Sequence, residues 1–408
     1  MAESTDFFSR LSGGREAPPF GSDDSVVEAT LQRFSPAIRR KVRGVIAATP
    51  RAADLAGVFP GLLAALAERR GGVGRRRIAL ALIANGARLR TVARALDVPM
   101  WMRSLPPEAF RSELPTHLPH SDTLSRRITA LNSPPSIEHS AAWLESVLFA
   151  ERAAGEEFAA WIAKQPRIFQ ERADADQMLA VLAAYAWCSN ARGTKANKLI
   201  AVAWRPEIAF DTALCAAKSW LNRVRLVLQL PPGAISDSWL VPGSARGCNF
   251  EPLLDSVSIL AEAQAMQNCA DQYAERIARQ RCRLFSVRRD GLRLATLEIA
   301  HHPRETNFLS IMQLKGRHNM AAASEVWQAA YAWMADQPDL RSLSPLLQVN
   351  AVMSFDNAAW RELMAPYREA TDGAPWIKAE ADDLMFARFN ADMADLARRA
   401  GVTSWLFT

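Results

Sequence analysis

The sequence predicts a mostly α-helical protein carrying one small α+β module near residues 255–335. Two patterns predict it. Apolar residues recur at three- and four-residue spacing along most of the 408-residue chain. Alternating apolar and polar residues appear only after residue 250, in CRLFSV, LRLATLEIA and NFLSIMQLKG. Hydrophobic residues at 49% and charged residues at 23% are ordinary for a globular chain with a core to bury.

Residues 1–24 are rich in Gly, Ser and Pro and read as a flexible tail. They lack the basic and apolar regions of a secretory signal. Residues 25–110 read as a basic helical region. Ser35-Pro36 places an N-cap before a proline at the first helical position. Phe59-Pro60-Gly61 breaks the chain, and LLAALAERR runs on to Gly71-Gly72. Ile78, Leu82 and Ile83 are expected on one helical face, ended by Asn85-Gly86. RTVARALDVP resembles a helix-turn-helix element, but Pro99 falls where a recognition helix should begin, so plain helix packing is the better reading.

Prolines 115, 119, 134 and 135 mark a loop-rich zone between residues 104 and 136. Residues 137–230 form a helical middle region whose Trp143, Trp161, Trp187, Trp204 and Trp220 are expected in a core and at its edges. A second boundary is expected in 231–250. The final region, 250–408, begins with the helix LLDSVSILAEAQAM and a helical NCADQYAERIARQR. A three-stranded antiparallel meander follows, turned at Asp290-Gly291 and ended at His301-His302-Pro303, and Ser324 is expected to cap the next helix. C-terminal helices complete the chain. The last carries Leu384, Met385, Phe389, Met393 and Leu396 as an apolar stripe, expected against the α+β module or as a dimer face.

The net charge of +6 is unevenly placed. Arg33 to Arg103 holds fifteen basic residues and three acids, which makes that segment +12 and the remainder −6. Such a local excess suits a polyanionic partner. It also arises where arginine simply covers solvated faces. Arg39, Arg40, Arg75, Arg76 and Arg77 are the candidate phosphate contacts. The five cysteines are odd in number, with no CxxC pair, which fits a reduced cytoplasmic setting. No Cys, His and carboxylate cluster has zinc spacing, so no metal and no cofactor is expected. No apolar run approaches the ~20 residues that span a bilayer.

Three short segments carry the chemistry. Met266-Gln-Asn-Cys269 leads to Tyr273. Cys282-Arg-Leu-Phe-Ser286 opens a strand. Gln313-Leu-Lys-Gly316-Arg-His-Asn319 joins the last strand to a helix. This arrangement resembles the PcfJ-like family over residues 255–335, about a fifth of the chain. Ala270 and Asp271-Gln272 depart from the family pattern, which favours Val and then small residues. The resemblance implies a setting in conjugative plasmids and other mobile elements, and it singles out Cys269, Tyr273, Gln313, Gly316 and Asn319.

From the residues themselves, Cys269 at a helix start is a candidate nucleophile, with His318, His301 or His302 as base. Buried core cysteine is the stronger alternative. The 313–319 segment reads as a turn, with Gly316 at positive φ and Asn319 bonding locally. It reads also as a phosphate site using Lys315 and Arg317, or as a catalytic element. The leading expectation is a DNA- or RNA-binding accessory protein of a mobile element. An enzyme that processes a nucleotide or nucleic acid through Cys269 or Gln313–Asn319 is the first alternative. A helical scaffold with protein partners or self-association is the second.

Overall fold

A computed structural model describes residues 24–111, 114–115, 118–129, 137–165, 168, 178–305, 307–341 and 354–402. The expected tail and the helix expected over LRSLSPLLQVNAVMSF fall wholly or largely outside these residues. Among the described residues the chain is mostly helical with one antiparallel sheet. It divides into two compact units. One is Met1–Glu151 with Ile162–Ala173, and the other is Arg152–Trp161 with Asp174–Thr408. The division therefore passes through the helical middle region rather than the Pro-rich segments.

The first unit contains α1 (Asp24–Gln32), α2 (Pro36–Ala48), α3 (Leu55–Val58), α4 (Pro60–Ala67), α5 (Gly72–Ala84), α6 (Leu89–Ala95) and α7 (Asp122–Thr129). The Ser35 hydroxyl accepts from Ile38 N–H, as its position before Pro36 predicts. Helix α4 is buried on every side, which suits its uninterrupted apolar sequence. Its Gly61 is required by packing: a Cβ there would lie 2.7 Å from the Phe110 ring. Ile83 is buried as expected, but Ile78 is exposed, and Ala79 shares the inward face instead. Trp101, Leu105 and Phe110 are core residues. After α6 the chain enters a short 3-10 turn, Met100–Ser104, so no recognition helix follows Pro99.

Helices α8 (Ser140–Ala154) and α9 (Glu156–Ala163) are separated at Gly155, whose φ is 88°. The second unit continues with α10 (Ala180–Asn190), α11 (Lys195–Lys198) and the long α12 (Phe210–Gln229). Strands β1 (Gly243–Ala245) and β2 (Cys248–Pro252) precede α13 (Ser256–Met266) and α14 (Ala274–Ala278). Then come β3 (Cys282–Arg289), β4 (Leu292–His301), β5 (Leu309–Lys315), α15 (Ser324–Ala335), α16 (Asn357–Ala370) and α17 (Asp383–Ala400).

The sheet has five strands in sequential order, not three. The two extra strands come from the segment expected to be a boundary loop. Arg246-Gly247 makes their two-residue turn with both φ values positive, at 49° and 77°. Asp290-Gly291 turns β3 into β4 in the same way, at 51° and 77°. One sheet face packs Phe250, Phe285, Leu297 and Leu314 against Trp333 and Ala329 of α15. The other packs Leu284, Cys282 and Ala300 against Ile259, Ala263, Ala270 and Ile277. Helix α12 backs this second layer through Leu226 and through Leu230 just past its end. The stripe of α17 (Met385, Phe389, Met393, Leu396) is buried, while Leu384 is 77% exposed. That helix packs chiefly on α12 and α10.

Helix α13 begins with a capping box in which Asp255 accepts from Ser258 N–H at 2.7 Å and Ser258 bonds back to the Asp255 N–H. Asp255→Ala should cost about 1 kcal/mol in urea unfolding; an unchanged midpoint would deny the cap any role. Ser324, by contrast, is the first helical residue of α15, whose N-cap is Ala323.

Candidate functional site

The second face of the sheet is apolar at one end and polar at the other. Cross-strand register places Glu298 opposite both Leu284 and Gln313, and Thr296 opposite both Ser286 and Lys315. A bulge in β5 makes this possible. Ile311 pairs with Ile299 and Gln313 with Glu298, so Met312 is an extra residue. The phase shift lets Leu314 return to the apolar face while Gln313 and Lys315 join the polar one.

The loop after α13 closes over this end. Gln267 takes a left-handed φ of 49°, which ends the helix and turns Asn268 and Cys269 toward the sheet. Asn268 Nδ2 donates to Thr296 Oγ1 at 2.8 Å, and its Oδ1 accepts from Ala270 N–H at 3.1 Å. Thr296 donates to Glu262 Oε1, and Arg293 Nε reaches Glu262 Oε2, both at 2.8 Å. Tyr273 donates to Glu298 Oε2 at 2.9 Å, and Arg276 pairs with Oε1. Glu262 and Glu298 are buried, and each is matched by an arginine and a hydroxyl, as a buried carboxylate requires. Beneath the loop, Asp271 pairs with Arg223 of α12 at 2.7 Å.

Asn268, Cys269, Tyr273, Glu298, Gln313, Lys315 and Asn319 line a cavity of about 20 Å³, room for roughly one water molecule. Asn319 reaches across fifty residues: its Oδ1 accepts from Cys269 N–H at 3.4 Å and lies 3.5 Å from Cys269 Sγ. The structure thus brings Cys269, Tyr273, Gln313 and Asn319 into one site. Gly316 adjoins it without lining it.

Several expectations are corrected. Gly316 has φ −75°, so it is not the left-handed residue of the turn. His318 and Asn319 take that role at 56° and 58°. Asn319 bonds to a distant loop rather than locally. Cys269 heads only a three-residue 3-10 turn, Ala270–Gln272, where little dipole accumulates. Burial pushes its thiol pKa up, opposite to what a nucleophile at a helix start needs. Tyr273 is raised as well, by burial and then by the Glu298 carboxylate. His318 and Arg317 are exposed and do not line the cavity. His302 Nδ1 accepts from the Arg304 and Glu305 N–H groups and is a loop residue.

In the first unit, the candidate arginines separate into two kinds. Arg39 donates to the Leu31 and Phe34 carbonyls and to Gln32 Oε1, clasping the end of α1. Arg76 Nε donates to the Leu66 carbonyl at 3.0 Å. Arg40, Arg75 and Arg77 are exposed, and Arg75 lies 3.9 Å from Asp97.

Glu262, Glu298 and Thr296 were missed from sequence. The available signal was a lone carboxylate inside an otherwise apolar strand (LATLEIA) and inside an apolar helix (SILAEAQAM). No family model, no curated protein and no solved structure matches the chain.

Proposed function

We propose that the chain is a nucleic-acid-binding protein, an accessory factor of a mobile genetic element. The observation that carries this reading is the run of exposed arginines in an acid-poor stretch of the first unit. Arg69, Arg75, Arg77, Arg88, Arg90 and Arg94 are all exposed, and between Arg69 and Arg103 the only acid is Asp97. Exposed guanidinium groups suit phosphate contacts, which release counterions and position a protein on a backbone without reading sequence. The resemblance of residues 255–335 to the PcfJ-like family supplies the mobile-element setting. The enzymatic alternative through Cys269 loses support from its raised thiol pKa.

The two kinds of arginine allow a controlled test. Arg75→Gln with Arg77→Gln should weaken binding uniformly across sequences and lower the salt slope by about two. Arg76→Gln, which removes an internal bond, should reduce stability more than it changes the slope. Absence of any affinity of the unmodified chain for duplex or single strands at roughly 50 mM salt would end the proposal.

A further inference from the structure

The polar groups around the small cavity of the second unit fall into two sets. One set is spent within the protein. Both ends of the Asn268 amide are bonded, the Tyr273 hydroxyl is committed to Glu298, and Arg276 compensates the Glu298 charge. The other set is unspent. Among the described residues, the Gln313 amide and the Lys315 ammonium have no side-chain partner. The Asn319 oxygen is turned to the Cys269 N–H, which leaves its amide nitrogen as a donor.

The unspent set is therefore rich in donors. Gln313 and Lys315 are fixed on this face by their pairing with Glu298 and Thr296. His318 and Asn319 are both held at positive φ, a conformation that is costly for residues with a Cβ and is retained at ligand clamps. Lys315, which lines the cavity, is exposed and supplies a positive charge at the mouth.

The geometry points to a binding site for a phosphate monoester, the terminal phosphate of a nucleotide. One phosphate oxygen enters the cavity, whose 20 Å³ admits a single oxygen-sized atom. The Lys315 ammonium and the Gln313 and Asn319 amides donate to the phosphate. The nucleoside remains outside. Glu298 does not oppose the anion, because both of its oxygens are engaged and Arg276 neutralises it. This inference does not depend on the exposed arginines of the first unit, and either can fail alone.

Cys269 lines the same cavity, so its alkylation reports occupancy. The full chain is treated with iodoacetamide near pH 8.5, the ordinary cysteine pKa. The rate at Cys269 is read by mass spectrometry against Cys215, which is also partly exposed. Adenosine monophosphate at about twice its Kd should slow Cys269 about threefold relative to chloride at equal ionic strength. Cys215 should be unaffected. Protection by inorganic phosphate as well would make the phosphate group the whole ligand, and protection by the nucleotide alone would add contacts outside the cavity; both support the site. Lys315→Ala with Gln313→Ala, at exposed positions, should abolish protection. Phosphorus NMR line broadening of the same two anions, lost in the double variant, gives a reading independent of the thiol. No broadening and no protection up to about 10 mM, well above a weak millimolar Kd, overturns the inference. So does protection that survives in the double variant.

Discussion

Trp333→Ala should remove about 4 kcal/mol from the stability of the second unit. Trp333 is 2% exposed and forms the centre of the apolar face of the sheet. Its ring stacks on Phe250 at 4.6 Å with the planes 4° apart, and meets Phe285 edge-on at 5.0 Å. Its Nε1 donates to the Val241 carbonyl at 3.2 Å. Truncation therefore loses two aromatic contacts and a hydrogen bond, and it opens a cavity between α15 and three strands. Trp333→Phe keeps the stack and loses mainly the bond, so about 1–2 kcal/mol is expected. The check is denaturant unfolding followed by near-ultraviolet dichroism, with the transitions of the two units fitted separately. Equal losses for the two variants would show that ring packing is not what holds α15 to the sheet.

The second large effect concerns the loop that carries Cys269. Arg223→Met leaves Asp271, 4% exposed, without its ion-pair partner. Removing one member of a buried pair costs about 3 kcal/mol at neutral pH. The pH dependence has a definite sign. Burial already holds the Asp271 carboxyl above its ordinary pKa of 3.8, even though Arg223 pulls it down. A carboxyl raised in the folded state favours folding at low pH and withdraws that support as pH rises through the folded value. Loss of Arg223 raises it further, so the deficit should be largest at pH 7 and should narrow toward pH 4 as Asp271 takes up its proton. Urea midpoints measured across this range decide the matter. A deficit independent of pH would mean that Asp271 is not the group left stranded.

Much of the second unit was legible from particular residues. Asp290-Gly291 named its hairpin because only such residues accept two successive positive φ values cheaply. The resemblance to the PcfJ-like family singled out Cys269, Tyr273, Gln313 and Asn319, four residues that line one cavity. Arg246-Gly247 makes the same type of turn, but arginine carries no turn signal, so β1 and β2 were not seen. The bulge at Met312 was hidden for a related reason. Alternation in LSIMQLK breaks by one residue, and a single local break looks like noise until the partner strand is known. The roles of Glu262 and Glu298 depend on arginines 22 and 31 positions away, a pairing that no local pattern encodes. In the first unit, charge density located the basic region. It could not separate Arg39 and Arg76, which serve carbonyl groups of the fold, from the exposed Arg75 and Arg77.

The sequential order of the strands has a kinetic consequence. Each strand is hydrogen-bonded to the one made just before it, so no segment waits for a distant partner to be synthesised. The sheet can grow strand by strand as the chain leaves the ribosome, with α13 and α14 laid down between β2 and β3, and β5 is the last strand added. Its arrival supplies Gln313 and Lys315 opposite Glu298 and Thr296. The polar site is therefore the final part of the sheet to be completed, and a nascent chain halted before Leu309 would hold four of the five strands without it.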